Sequence, residues 1–113
     1  MKINFIPTKK FEASAKVLNK RYASFKSDLK KILDDIRKNP EIGSPLGKKV
    51  RKIRVKIESK GKGESGGARL ITYEALTLET GKDIVLLYIY DKSDMATLSE
   101  KFIKKLLKEY KEQ

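Results

Sequence analysis

The chain contains no cysteine and no histidine. The first absence excludes disulfides, thiolate catalysis and most structural zinc sites. It also fits a reducing compartment, so a cytoplasmic location is expected. The second removes the usual general base and the commonest metal ligand. Catalysis here must run on Lys, Arg, Tyr or carboxylates, and no metal or cofactor is expected. No apolar run approaches the ~18 residues needed to span a bilayer. The apolar part of the opening MKINFIP is too short for a secretory signal, so no membrane partner is expected. Acids are scarce beside bases, 15 against 27, which leaves a net charge of +12 and a pI near 9.8. That balance favours nucleic acid or another acidic partner over a merely soluble basic protein. At 113 residues, with 39% hydrophobic and 37% charged, residues 1–113 read as one soluble globular domain.

The charge is unevenly spread. Leu46 to Tyr73 reads LGKKVRKIRVKIESKGKGESGGARLITY, a strand, a Gly- and Lys-rich connection and a second strand. From Val50 to Ile57 the residues alternate, with Ile53, Val55 and Ile57 on one face and Lys52, Arg54 and Lys56 on the other. Such alternation marks a half-buried strand. The cationic row must meet water or anions, because burying unpaired charge is very costly. Leu46 to Arg69 holds nine bases and two acids, +7 in 24 residues. A binding surface for a polyanion has this character.

Read in order, Lys2 to Ile6 is a short strand and Thr8 an N-cap for a helix to about Tyr22. Phe11, Ala15, Leu18 and Tyr22 give that helix one apolar face. Ser24 is a second N-cap, before a helix carrying Phe25, Leu29, Ile32, Leu33 and Ile36. Asn39-Pro40 stops it. Two helices so closely joined form an antiparallel hairpin. Glu41 to Gly47, with Gly43, Pro45 and Gly47, reads as a loop. After the strand around Ile53 comes a strand from about Ala68 to Leu78, then a tight-turn signal at Glu79-Thr80-Gly81-Lys82. Ile84 to Tyr90 is almost continuously apolar and reads as a central strand. Asp91 to Thr97 is loop-like, and Ser99 caps a last helix with the stripe Phe102, Ile103, Leu106, Leu107, Tyr110. The expected fold is α+β: a small antiparallel or mixed sheet with an N-terminal helical hairpin and a C-terminal helix, in the order β-α-α-β-β-β-α.

Gly61, Gly63 and Gly66 literally match GxGxxG. The dinucleotide fingerprint needs a helix immediately afterwards, and Ala68 to Tyr73 is strand-like instead. No phosphate-loop pattern is present either. The connection reads as a flexible hairpin loop, or as a mobile loop whose Lys60 and Lys62 track a phosphate backbone. Arg69 shares parity with Ile71 and Tyr73, and an Arg offers the bidentate fork for phosphate that Lys lacks. Its bland alternative is a pair with Glu74 or Glu58. Lys92, just past the apolar strand, is either a solvated loop charge or a member of the same site. Tyr88 and Tyr90 share its parity and could stack on bases, although Tyr88 reads better as core.

The element order, the KIRV of Lys52 to Val55, the GGARLITY of Gly66 to Tyr73 and the LLYIYDKSD of Leu86 to Asp94 resemble the RelE/ParE superfamily of toxins from toxin–antitoxin pairs. The resemblance covers essentially the whole chain. It implies a cognate antitoxin partner. For the RelE branch it implies a metal-independent endoribonuclease that cuts mRNA on the ribosome, the ribose 2′-OH attacking the adjacent phosphate to leave a 2′,3′-cyclic phosphate. Lys52 and Arg54 match the paired cations of the family's second strand, Arg69 its phosphate-contacting Arg, and Lys92 its Arg after the fourth strand. Tyr90 stands in for the base-stacking Tyr of some members. Lys56, Lys60 and Lys62 extend the RNA-binding surface. The loop from Glu58 to Gly67 is longer than in the best-known members. Without histidine, a Lys held among cations has its charged form disfavoured, which suits it to act as a base. The surrounding cations would stabilise the phosphorane. Lys52 is then the base, Arg54 and Arg69 the charge stabilisers, and Lys92 or a Tyr hydroxyl the acid for the leaving 5′-oxygen. The alternatives are a ParE-like DNA gyrase inhibitor without nuclease chemistry and a non-catalytic basic RNA-binding module.

Overall fold

The structure, a computed structural model, describes residues 2–61, 63–75, 81–95 and 97–112. Lys62, the last part of the expected strand (Leu76 to Leu78) and Glu79 and Thr80 of the expected turn lie outside the described residues. Strand β1 (Ile3–Pro7) is followed by helices α1 (Lys9–Arg21) and α2 (Phe25–Lys38). Then come β2 (Ser44–Gly47), β3 (Val50–Val55), a 3₁₀ turn at Glu58–Lys60 and a short helical turn α3 (Gly63–Gly66). Strands β4 (Ala68–Ala75) and β5 (Lys82–Asp91) and helix α4 (Glu100–Lys111) complete the chain. The five strands form one mixed sheet in the order β1-β5-β4-β3-β2. β1 is parallel to β5, and the remaining pairs are antiparallel. The expected α+β class, helical hairpin and C-terminal helix are present. The order is β-α-α-β-β-β-β-α once the short α3 turn is set aside, one strand more than expected.

The additional strand is β2, in the stretch read as a loop. All four of its residues are exposed. It exists because Ser44 and Pro45 pair with Lys52 and Arg51 of β3, not because its own residues favour a strand. Pro45 suits an edge, where a missing N–H costs nothing.

The helices start where the sequence places them, but by different means. The Thr8 side chain accepts from the Phe11 amide at 3.0 Å and donates to the Leu86 carbonyl at 3.1 Å, so it caps α1 and ties it to β5. Ser99 accepts from the Phe102 amide at 3.1 Å. Ser24, expected to cap α2, makes no side-chain cap bond. Its hydroxyl instead donates to Asp28 and lies 2.9 Å from the Ser59 hydroxyl. The Ser59 amide donates back to it at 2.9 Å.

Two cores cover the sheet, one on each face. Phe11, Leu18, Phe25, Ile32 and Ile36 of the helical hairpin meet Ile53, Val55, Leu70, Ile84, Leu86 and Ile89. On the other face, Leu106 and Leu107 of α4 meet Val50, Ile71, Val85, Leu87 and Tyr90. Full burial of one such side chain stabilises by roughly 1.5–3 kcal/mol. The run from Ile84 to Tyr90 serves both faces, which explains its unbroken apolarity. The β4–β5 register shifts between Ile71 and Thr72, which pair with Tyr88 and Leu86 and leave Leu87 unopposed. This bulge puts Val85, Leu87, Tyr88 and Tyr90 all on the α4 side. No helix among the described residues is long and apolar enough to cross a membrane.

Candidate nucleic-acid interface

The basic residues of β3 lie on the α4 side of the sheet by parity, since Val50 of the same parity is in the α4 core. β3 and β4 place Arg54 directly opposite Arg69, and Lys52 opposite Ile71. β4 and β5 place Arg69 opposite Tyr90 and Ile71 opposite Tyr88. One cross-strand row is therefore Arg54, Arg69, Tyr90, and the next is Lys52, Ile71, Tyr88. Two guanidinium side chains facing each other across a ladder repel. Such a pair gains from an anion placed between its members.

Arg69 is 4% exposed, whereas the sequence suggested an exposed side chain. Its Nη1 donates to the Ala68 carbonyl at 3.0 Å. Burial, and then the facing Arg54, push its pKa below the ordinary value, while Tyr90 acts the other way. The alternative, a pair with Glu58 or Glu74, is not made, since both acids have other partners. Glu58 lies 3.3 Å from Lys56 and Glu74 3.0 Å from Lys82.

Tyr90 corrects its expected role. It is 4% exposed, so its ring is not free to stack on a base. It stacks instead on Tyr88, with ring centroids 6.2 Å apart, and Tyr88 meets Phe102 edge-on at 5.2 Å. Burial pushes the Tyr90 phenol up, and Arg69 opposes that. Among the described residues the Tyr90 hydroxyl is buried with no hydrogen-bond partner. Leaving such a group unmade is costly, and it sits in the row that carries the two arginines.

The row Lys52, Arg54, Lys56 is not one uniform surface. Lys52 lines a cavity of about 380 Å³ between the β2–β3 hairpin and α4, floored by Val50, Ile71, Ile103 and Leu107. Arg54 and Lys56 line a small cleft against α2, beside Asp28, Asp35 and Glu58. The reason is coverage: β2 pairs with β3 only as far as Lys52, so the later cations can turn around the open edge.

Lys60 is the clearest correction. It was expected to track a phosphate backbone, but its ammonium is committed within the protein. It lies 2.6 Å from Asp91 Oδ1, 2.8 Å from Ser93 Oγ and 3.4 Å from the Gly67 carbonyl. Its side chain is 8% exposed, and that of Asp91 is 1%. Tyr22 and Arg21 also donate to Asp91, and Arg21 reaches Asp94 at 2.9 Å. The Glu58–Gly67 connection is thereby anchored to α1, α2 and β5. Lys92 follows directly, its amide donating to the Gly67 carbonyl at 3.0 Å. This fixes the backbone of Lys92 beside the start of β4.

The structure thus brings Arg54, Arg69 and Tyr90 into one row, sets Lys52 beside them and anchors Lys92 near the strand ends. It commits Lys60 to Asp91 and sets the side chains of both Arg54 and Lys56 along the cleft beside α2. Sequence reasoning missed the Asp91 cluster. The available signal was a lone acid between a long apolar run and Lys92, the position at which a buried carboxylate needs partners. It also missed the lysines of α4, which recur on its polar side. No group of three or more His, Cys, Asp or Glu side chains is placed to hold a metal ion among the described residues. Compared with known proteins, the chain matches no family model and no curated sequence.

Proposed function

We propose that the protein is a RelE-type toxin that cleaves mRNA on the ribosome and is held in check by a cognate antitoxin. The observation that carries this reading is the row Arg54, Arg69, Tyr90 with Lys52 beside it. A phosphate on the exposed Arg54 and the half-buried Lys52 would lie in the positive field of the buried Arg69, and that attraction grows as charge builds on the phosphorane. Lys52 is the candidate base for the 2′-OH. Lys92 is the candidate acid for the leaving 5′-oxygen. The phenol of Tyr90 lies buried opposite Arg69 and serves as a neighbour of that guanidinium rather than as a stacking platform. The helical hairpin on one sheet face, the C-terminal helix on the other and the motif order support the family assignment. β2 is an addition to the order which that family implies.

The experiment is single-turnover cleavage on programmed ribosomes. Lys52→Ala should slow cleavage by about 10²–10⁴-fold, the range of a positioned base, and Arg54→Ala by about 10²–10³-fold, the range of one charge-stabilising donor. Arg54 is exposed, so its removal should leave the fold intact, as checked by circular dichroism. If both variants stay folded and fully toxic to cells, the nuclease reading fails. Double-strand DNA breaks after induction would then put the gyrase-directed alternative in its place.

A further inference from the structure

We propose that the β2–β3 turn and the outer side of α4 form a second seat for an RNA backbone, built by Lys48, Lys104, Lys108 and Lys111 and continuous with Lys52. The proposal rests on the reading of Lys52 as part of an RNA-cleaving face. Two separate observations lead to it. The first is placement. Lys48, Lys52 and Lys104 line the same cavity. Lys48 and Lys104 line a second groove of about 330 Å³ with Lys108 and Lys111, whose other walls are Leu107 and Glu112. Lysines 104, 108 and 111 follow one another at helical spacing on one side of α4, rising about 6 Å for each four residues. The cations therefore run as a track from Lys52, past the hairpin tip, to the end of the helix.

The second observation is backbone strain. Lys48 and Lys49 both adopt positive φ, 52° and 66°. A two-residue hairpin turn with both central residues left-handed is the turn that Asn-Gly fits best. This chain carries two lysines there instead. Strain of this sort gathers at functional sites, and here it holds one cation of the track in place.

The acids that line the track are Glu100 and Glu112, against five lysines. Glu100 is 3.7 Å from Lys104, with both side chains mostly exposed, and exposed pairs contribute little. The groove along Lys108 and Lys111 has only Leu107 as an apolar wall. The apolar floor of Val50, Ile71, Ile103 and Leu107 belongs to the adjoining cavity, and beyond it repeating phosphates meet the repeating cations of the helix.

The test is the salt dependence of binding of a short fluorescein-labelled oligouridylate to the full chain. The variant Lys104→Ala/Lys108→Ala/Lys111→Ala is compared with Lys26→Ala/Lys30→Ala/Lys38→Ala on α2, across the sheet. Each removes three exposed charges from a helix, and alanine keeps both helices. On a single strand each lost phosphate contact lowers the slope of log K against log salt by about 0.7, so the α4 variant should lose about two units and the α2 variant almost none. The single change Lys104→Gln should lose about 0.7 and covers the case in which the triple variant misfolds. An equal fall in both triple variants, or no fall in the α4 variant, overturns the proposal. So does an unchanged RNA slope with lost binding of polyglutamate, which would assign the track to an acidic protein. The assay needs no cleavage. A failed nuclease reading therefore leaves the seat standing, and an unchanged slope with intact cleavage removes the seat alone.

Discussion

Asp91 is 1% exposed and collects donors from four residues: Lys60, Tyr22, Arg21 and the Ser93 amide. Removing one partner of a buried pair strands the other charge, at a cost of about 3–5 kcal/mol. Because Arg21, Tyr22 and the Ser93 amide stay on Asp91, Lys60→Met should cost less than that, about 1.5–3 kcal/mol in urea unfolding for one lost bond to a charged group, whereas a loss near zero would mean that the pair behaves as if exposed. Burial alone would raise the Asp91 pKa. The bonds from Lys60, Tyr22, Ser93 and Arg21 outweigh it and hold the carboxyl well below the usual range. A depressed carboxylate contributes stability that is complete above its unfolded pKa of about 3.9 and is lost as pH falls toward the folded value. The wild-type protein should thus lose stability steeply below about pH 4, and Asp91→Asn should flatten that part of the profile while lowering stability at pH 7. Parallel acid limbs in the two proteins would contradict this. Lys60 also illustrates what a sequence hides. In a Gly-rich stretch it looks like a solvated cation, and the carboxylate that claims it lies 31 residues away.

At the scale of the element, alternation located β3 and helical spacing located α1, α2 and α4, because each carries a one-sided apolar pattern with a cap or a breaker. β2 carries none. Its residues are Ser, Pro, Leu and Gly, all exposed, and only the neighbouring strand makes it one. The parity of Lys52 and Arg54 was legible, but the register that sets Arg54 opposite Arg69 was not, because parity within one strand leaves its alignment with the next open. The fate of Tyr90 was not, because it depends on how closely α4 covers β5. Two turn positions make opposite predictions. At Gly67 an added Cβ would lie 2.1 Å from the Val55 carbonyl, which is backbone and cannot swing aside. Gly67→Ala should cost about 1–3 kcal/mol or more, read by thermal unfolding. Replacing Lys48-Lys49 by Asn-Gly should instead stabilise the hairpin, by about 1–2 kcal/mol for each left-handed residue relieved. The same change should weaken RNA binding. A variant that gained stability and kept its affinity would separate the strain from the function.

For the whole molecule, a net charge of +12 predicts salt-sensitive binding to any RNA. The proposed cleavage would demand more, because the 2′-oxygen must stand in line with the leaving group. Free mRNA should therefore be cut poorly and mRNA on translating ribosomes efficiently, and equal rates in a quench-flow comparison would count against ribosome dependence. The sheet order has a consequence in time. β1 lies parallel to β5 with Ile3 beside Lys82, and Arg21 meets Asp91 across 70 residues. A chain made from its N-terminus exposes Lys52 and Arg54 long before β5 exists to seat Arg69 beside Tyr90. Closure of such distant contacts comes late and slowly. During synthesis the cations are already present, but the row they belong to is not. Under the proposed reaction, a ribosome translating this message is safe from its own product until the last third of the chain has emerged.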